Sequence, residues 1–112
     1  MEAIANSKLK HYSLLPRIKN EVQSAVPGAE VIVYGSVARG EATEDSDIDL
    51  LIIIDQDTIP MALRERIYER TTNIELEEGV IISLILRTRR QWVTPAIRTP
   101  FMINVNNEGR WL

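Results

Sequence analysis

VIVYGSVARGEATEDSDIDLLIIID, residues 31–55, decides how this chain folds. Val31 to Tyr34 is a β-branched and aromatic run that stops at Gly35-Ser36. Leu50 to Ile54 is a second run, entered through Asp47 and Asp49. Runs of this length and branching predict buried strands. Side chains alternate across a strand, so Asp47 and Asp49 project from one face. Carboxylates placed side by side raise each other's cost of ionisation, and a sequence serving stability alone would keep them apart. A divalent cation relieves the repulsion, and magnesium suits the pair because it takes one or two carboxylates together with phosphate oxygens. Gly35 lets backbone approach closely. The Ser36 hydroxyl, with neighbouring N–H groups, can hold phosphate oxygens where a short helix begins. If both halves serve the same phosphates, the end of the first strand lies beside the start of the second. The 12 residues between them, 35–46, suit an antiparallel pair joined by one helical turn.

Outward from this centre, residues 1–6 are expected to fray. From Ser7 to about Ala25 the positions Leu9, Leu14, Leu15, Ile18 and Val22 recur at helical spacing, with Pro16 in the first turn of a better-formed part, Leu15 to Ser24. Pro27-Gly28 stops that helix, and a strand follows over 29–34. After the strand 47–54, Asp57 or Thr58 can cap a helix with Pro60 in its first turn, running to about Leu76 with Leu63, Ile67 and Ile74 on its apolar face. Val80 to Leu86 reads as a third strand. Thr88 and Thr99 each open a short helix, through Arg89-Arg90-Gln91-Trp92 and through Pro100-Phe101-Met102. The order predicts a small two-layer α/β (α+β) domain, a mixed sheet packed against helices, with residues 1–112 forming one domain.

The string GSVARGEATEDSDIDLLI, with Gly35-Ser36, ten intervening residues and Asp47-x-Asp49, resembles the signature of the DNA polymerase β-like nucleotidyltransferase superfamily. Its fuller form is similar to the minimal nucleotidyltransferases, many of which act as the antitoxin of a helical HEPN-domain protein. The resemblance implies a compact mixed-sheet core that binds Mg-ATP, with one or two magnesium ions, and transfers an adenylyl group to a hydroxyl of a HEPN-type partner. It implies that Gly35 and Ser36 hold the β and γ phosphates and that Asp47 and Asp49 hold the metal as the catalytic pair. Arg39 is placed either near the phosphates or in a structural ion pair. Active members carry a third carboxylate on the next strand, and here the matching position is Ser83. That departure motivates a rival reading, a catalytically weakened or inactive antitoxin that neutralises a HEPN ribonuclease by contact. An antibiotic-modifying transferase fits less well, because such enzymes use an additional domain to hold the drug. Glu77 or Glu78 would have to reach the site if a third acid exists under another number.

The bulk numbers are compatible with this. The chain has 112 residues, a formal net charge of −3 and no cysteine, so nucleic acid is not the expected primary partner, and disulfides and thiolate metal sites are excluded. No run is long enough for a bilayer and MEAIANSKLKHY lacks the apolar core of a signal peptide, so a cytoplasmic protein is expected, with no membrane partner. Glu41, Glu44 and Asp45 read as a solvated loop and His11 as a surface residue. Arg87, Arg89 and Arg90 read as a solvated helix start or a contact for phosphate, RNA or an acidic partner. Trp92, Phe101 and Trp111 read as core or interface anchors, which leaves a homo-oligomer or partner surface open.

Overall fold

The computed structural model describes residues 9–112. The expected fraying of residues 1–6 and helix start at Ser7 lie outside the described residues. Helix α1 (Lys10–Ala25) leads to β1 (Glu30–Tyr34), a single helical turn α2 (Gly35–Ala38) and β2 (Ile48–Ile54). Helix α3 (Met61–Glu78) crosses to β3 (Ile82–Thr88), followed by α4 (Arg89–Val93), α5 (Pro100–Glu108) and a two-residue strand β4 (Arg110–Trp111). The sheet order is β3-β2-β1-β4. β1 pairs antiparallel with β2 and β4, and β2 pairs parallel with β3, so the sheet is mixed.

β2 lies between β1 and β3, and Ile48 and Leu50 to Ile54 are all sealed from solvent. A fully buried side chain of this kind stabilises by about 1.5–3 kcal/mol relative to exposure. Strand alternation gives the sheet two apolar faces. One carries Val31, Val33, Ile48, Leu50, Ile52 and Ile54 against Leu14, Ile18 and Val22 of α1 and Ile67 and Ile74 of α3. The other carries Ile32, Leu51 and Ile53 against Val105 of α5, with Tyr34, Trp92 and Phe101 at its margin. The expected helix-on-sheet core is present, and the C-terminal helices add a smaller cluster on the opposite face.

Several local expectations are corrected. Pro16 lies inside a continuous α1 rather than in a first turn. The buried stripe His11, Leu14, Ile18, Val22 and Ala25 holds the helix through the one intrahelical bond that proline cannot donate. α3 starts at Met61 with Pro60 at its cap and no side-chain cap, so neither Asp57 nor Thr58 serves that role. It ends where Gly79 turns left-handed (φ 69°) and its N–H donates to Glu75 O. β3 begins two residues later than expected. A carboxylate oxygen of Glu75 accepts from Ile82 N–H at 2.7 Å at its entrance, and the strand extends to Thr88. Thr88 and Thr99 cap α4 and α5 as expected, Thr88 in a reciprocal box with Gln91.

Candidate active site

The site is assembled at one end of the sheet, where β1 stops and β2 starts. In the β1–β2 ladder Tyr34 lies opposite Asp49, and in the β2–β3 ladder Asp49 lies beside Ser83. Ladder partners share a face, so Tyr34, Asp49 and Ser83 all point to the α5 side, and Asp47, one residue ahead of β2, is near enough for its charge to act on Asp49. The expected strand pair joined by one helical turn is what the chain forms.

Gly35 opens that turn with φ 74°, a left-handed backbone that side chains disfavour. A methyl group at this position would collide with Asp49 Oδ2, so the two halves of the Gly-Ser/Asp-x-Asp pattern meet in van der Waals contact. Ser36 sits half-buried in the first residues of α2, while Val37 and Ala38 anchor the turn in the core. Asp47 is exposed just ahead of β2, and Asp49 is half-buried. Burial first, and then the charge of Asp47, hold the Asp49 carboxyl above the usual carboxylate range, with Arg39 opposing and Glu108 adding to the shift. Burial, followed by the Asp49 charge, likewise pushes the Tyr34 phenol up.

Arg39 pairs with Glu41 through Nε at 2.6 Å and with Glu108 through Nη1 at 3.0 Å. The ion-pair alternative for Arg39 is therefore realised beside the site. Glu41, Glu44 and Asp45 are all exposed, as the solvated-loop reading expects, and Glu41 also pairs with Arg39. Glu108 is the residue that sequence reasoning missed. Its Oε2 accepts from Gly35 N–H at 2.6 Å across 73 residues of chain. A signal for it existed, because a carboxylate in the last turn of α5 opposes the helix dipole and needs a local cation or donor to hold it.

Neither Glu77 nor Glu78 supplies a third acid. Both pair with Arg17 of α1, and among the described residues neither joins Asp47 and Asp49 in a three-acid cluster. His11 is corrected from a surface residue to a buried one, 2% exposed, with Nε2 at 2.9 Å from the Ser46 carbonyl. A carbonyl can only accept, so Nε2 donates and pins the backbone just ahead of Asp47. Arg89 is tied to Glu30 at 2.5 Å, whereas Arg90 is exposed, so the basic residues after β3 do not act as one cluster. Phe101 stacks edge-on with both Tyr34 and Trp92, and Trp111 is exposed.

The donor set fits a hard divalent cation. Two carboxylates repel each other and a cation would relieve them, while the glycine N–H and the arginine beside them already hold an anionic group, the Glu108 carboxylate. Among the described residues no three Asp, Glu or His side chains converge as a metal cage. Asp47 and Asp49 are thus a two-carboxylate platform suited to a cation that arrives with phosphates. A shallow depression of about 170 Å³ borders Asp47, between residues 44–46 and 79–81. A larger one, about 440 Å³, lies beside His11, Glu44 and Gly79 and lacks the paired carboxylates. No helix among the described residues is long and apolar enough to cross a membrane.

Comparison with known proteins gives a consistent picture. The profile of the nucleotidyltransferase domain matches residues 15–105. The chain is 36% identical over 83 residues to a candidate protein adenylyltransferase of Methanocaldococcus jannaschii, covering 74% of this chain and 76% of that one. It is 35% identical over 82 residues to a protein adenylyltransferase of Thermococcus cleftensis, covering 68% of this chain and 73% of that one. Two solved structures share the fold. One is a toxin–antitoxin crystal structure with AMP-PNP, at TM-score 0.56 and 16% identity, covering 92% of this chain and 72% of that one. The other is a candidate nucleotidyltransferase from Sulfolobus solfataricus, at TM-score 0.55 and 24% identity, covering 81% and 78%.

Proposed function

The chain belongs to the nucleotidyltransferase domain family, and from that membership we propose that it is a protein adenylyltransferase, moving the adenylyl group of ATP to a hydroxyl of a partner protein. Members of this family use a nucleoside triphosphate and a divalent metal. The observation that supports the reading for this chain is the packing of Gly35 on Asp49, which brings the turn proposed to bind phosphate against a carboxylate proposed to hold the metal.

In this reading the Gly35 N–H and the Ser36 hydroxyl bind phosphate oxygens, and Arg39 lies close enough to add a positive charge. Asp47 and Asp49 are the residues that would hold one magnesium ion, with a second open. Bound there, magnesium supplies neutralisation of the charge that builds up as pyrophosphate departs. The acceptor oxygen forms its bond to the α-phosphorus, the bond from that phosphorus to the bridging oxygen breaks, and the hydroxyl proton leaves to solvent or a base. The proposed acceptor belongs to a HEPN-type toxin, with this chain as its cytoplasmic antitoxin. Support comes from the names of the two relatives and from the toxin–antitoxin setting in which the fold occurs with a nucleotide analogue.

A second reading rests on Ser83. It pairs in register with Asp49, where the resemblance expects a third acid, and a serine there brings no charge and little basicity at neutral pH. A protein that binds nucleotide yet neutralises its partner by contact alone fits that feature. Incubation with magnesium, a HEPN-type partner and ATP labelled at the α-phosphate separates the two. Label on the partner that disappears with Asp47→Asn/Asp49→Asn supports transfer. Neutralisation of the partner without label supports contact, and the absence of both label and neutralisation would overturn both readings.

A further inference from the structure

Glu108 uses the same groups that the proposed function assigns to phosphate, and the inference rests on that assignment. Its Oε2 accepts from Gly35 N–H at 2.6 Å, and both carboxylate oxygens accept from Arg39 Nη1, at 3.0 and 3.2 Å. We propose that Glu108 is an internal occupant of the phosphate seat, a carboxylate that must swing away before a nucleotide's phosphates can settle on the Gly35 N–H and Arg39.

The chemistry of the two anions is interchangeable at this point. A carboxylate and a phosphate both present charged oxygens that take short bonds from a backbone N–H and a guanidinium. Gly35 has a single amide hydrogen, and at 2.6 Å it is fully used by Glu108, so the two anions compete for it. Electrostatics do not otherwise favour a carboxylate here, because Glu108 adds negative charge beside Asp49. Its position is held by the N–H and by Arg39.

Release needs only the side chain to move. The backbone after it is pinned, since Gly109 N–H donates to Val105 O at 2.7 Å and Leu112 N–H to Val31 O at 2.9 Å. A Cβ on Gly109 would stand 2.9 Å from Ile32 Cγ2, so the end of α5 is packed directly on β1. The Glu108 side chain, by contrast, is 26% exposed and has solvent to rotate into. Arg39 keeps a second partner in Glu41 at 2.6 Å, so it stays near the turn when Glu108 leaves. The seat is thus preformed and kept closed by a group that phosphate can replace. The fraction of molecules with the seat free then sets the apparent affinity.

The test compares wild type with Glu108→Gln, using calorimetry with Mg-ATP and with inorganic tripolyphosphate, and following the Gly35 amide by ¹⁵N NMR. The variant is expected to bind both probes more tightly, by about tenfold, since a neutral amide oxygen is a weaker competitor than a charged one. Saturating tripolyphosphate should bring the Gly35 amide of the two proteins to the same shift. A folded variant that binds either probe no more tightly than wild type overturns the inference and leaves Glu108 as a structural brace. If Glu108→Gln does not fold, Glu108→Asp, which keeps the charge but is one methylene too short to reach Gly35, should also tighten binding; unchanged or weaker binding in it overturns the inference. Wild type and variant both failing to bind Mg-ATP would sink the functional reading and this inference together. Wild-type binding with no gain in the variant sinks this inference alone.

Discussion

Asp49 is held where its charge is costly, half-covered by the turn after β1 and facing Asp47. Burial, then Asp47, keep its carboxyl above the usual range, so the folded chain holds that proton more readily than the unfolded chain. Such a group favours folding in acid, and the contribution is lost as pH rises through its folded-state value. Without metal, Asp49→Asn should therefore melt higher than wild type at about pH 7, and the gain should vanish near pH 3, below the ordinary aspartate value. Melting curves at the two pH values check this, and a variant less stable at neutral pH contradicts it. Ser83 makes the complementary point about chemistry. It lies beside Asp49 without a charge, so Ser83→Asp should raise adenylyl transfer by about 10²–10⁴-fold, the usual worth of one acid–base group. Initial rates with α-labelled ATP decide it, and rates indifferent to the change would mean that this site works with two acids.

At the scale of elements, what could be read from the sequence was whatever is local. Strands 30–34 and 48–54, the turn between them and the caps at Thr88 and Thr99 all lie within short windows, and their residues carry the physics directly. The Thr88 cap predicts that Thr88→Ala costs about 1 kcal/mol, read from urea unfolding. A loss near zero would show that Gln91 and β3 hold α4 without it. His11 was legible but misread. It falls three residues before Leu14 and seven before Ile18, on the buried stripe of α1, and its partner Ser46 lies far along the chain. Glu108 reaches Gly35 only through tertiary packing, and β4 is two residues long, so periodicity could show neither. The family resemblance matched Ser83 to the third-acid position, and the β2–β3 ladder places it beside Asp49. The pairing of Glu77 and Glu78 with Arg17 required the α1–α3 contact to be seen.

Over the whole molecule, the apolar surface is uneven. Val93, Ile97, Ile103 and Trp111 of the C-terminal region are all exposed, while the aromatic trio Tyr34, Trp92 and Phe101 closes the α5 face. We expect this region to contribute to association with a second copy or a partner. Trp111→Ala should weaken that association by about 30-fold, the effect of losing one aromatic anchor. Light scattering gives the check, and a monomer that binds its partner equally well with either residue contradicts it. The proposed function makes Gly35-Ser36 and Asp47-x-Asp49 one site for a magnesium-bound nucleotide. Calorimetric titration of Mg-ATP into wild type and Asp47→Asn/Asp49→Asn tests it most directly. One site per chain is expected in wild type and at least a 100-fold loss in the double variant (about 2.7 kcal/mol), because amides offer oxygens without the charge that holds the ion. Unchanged affinity in a folded double variant would contradict it.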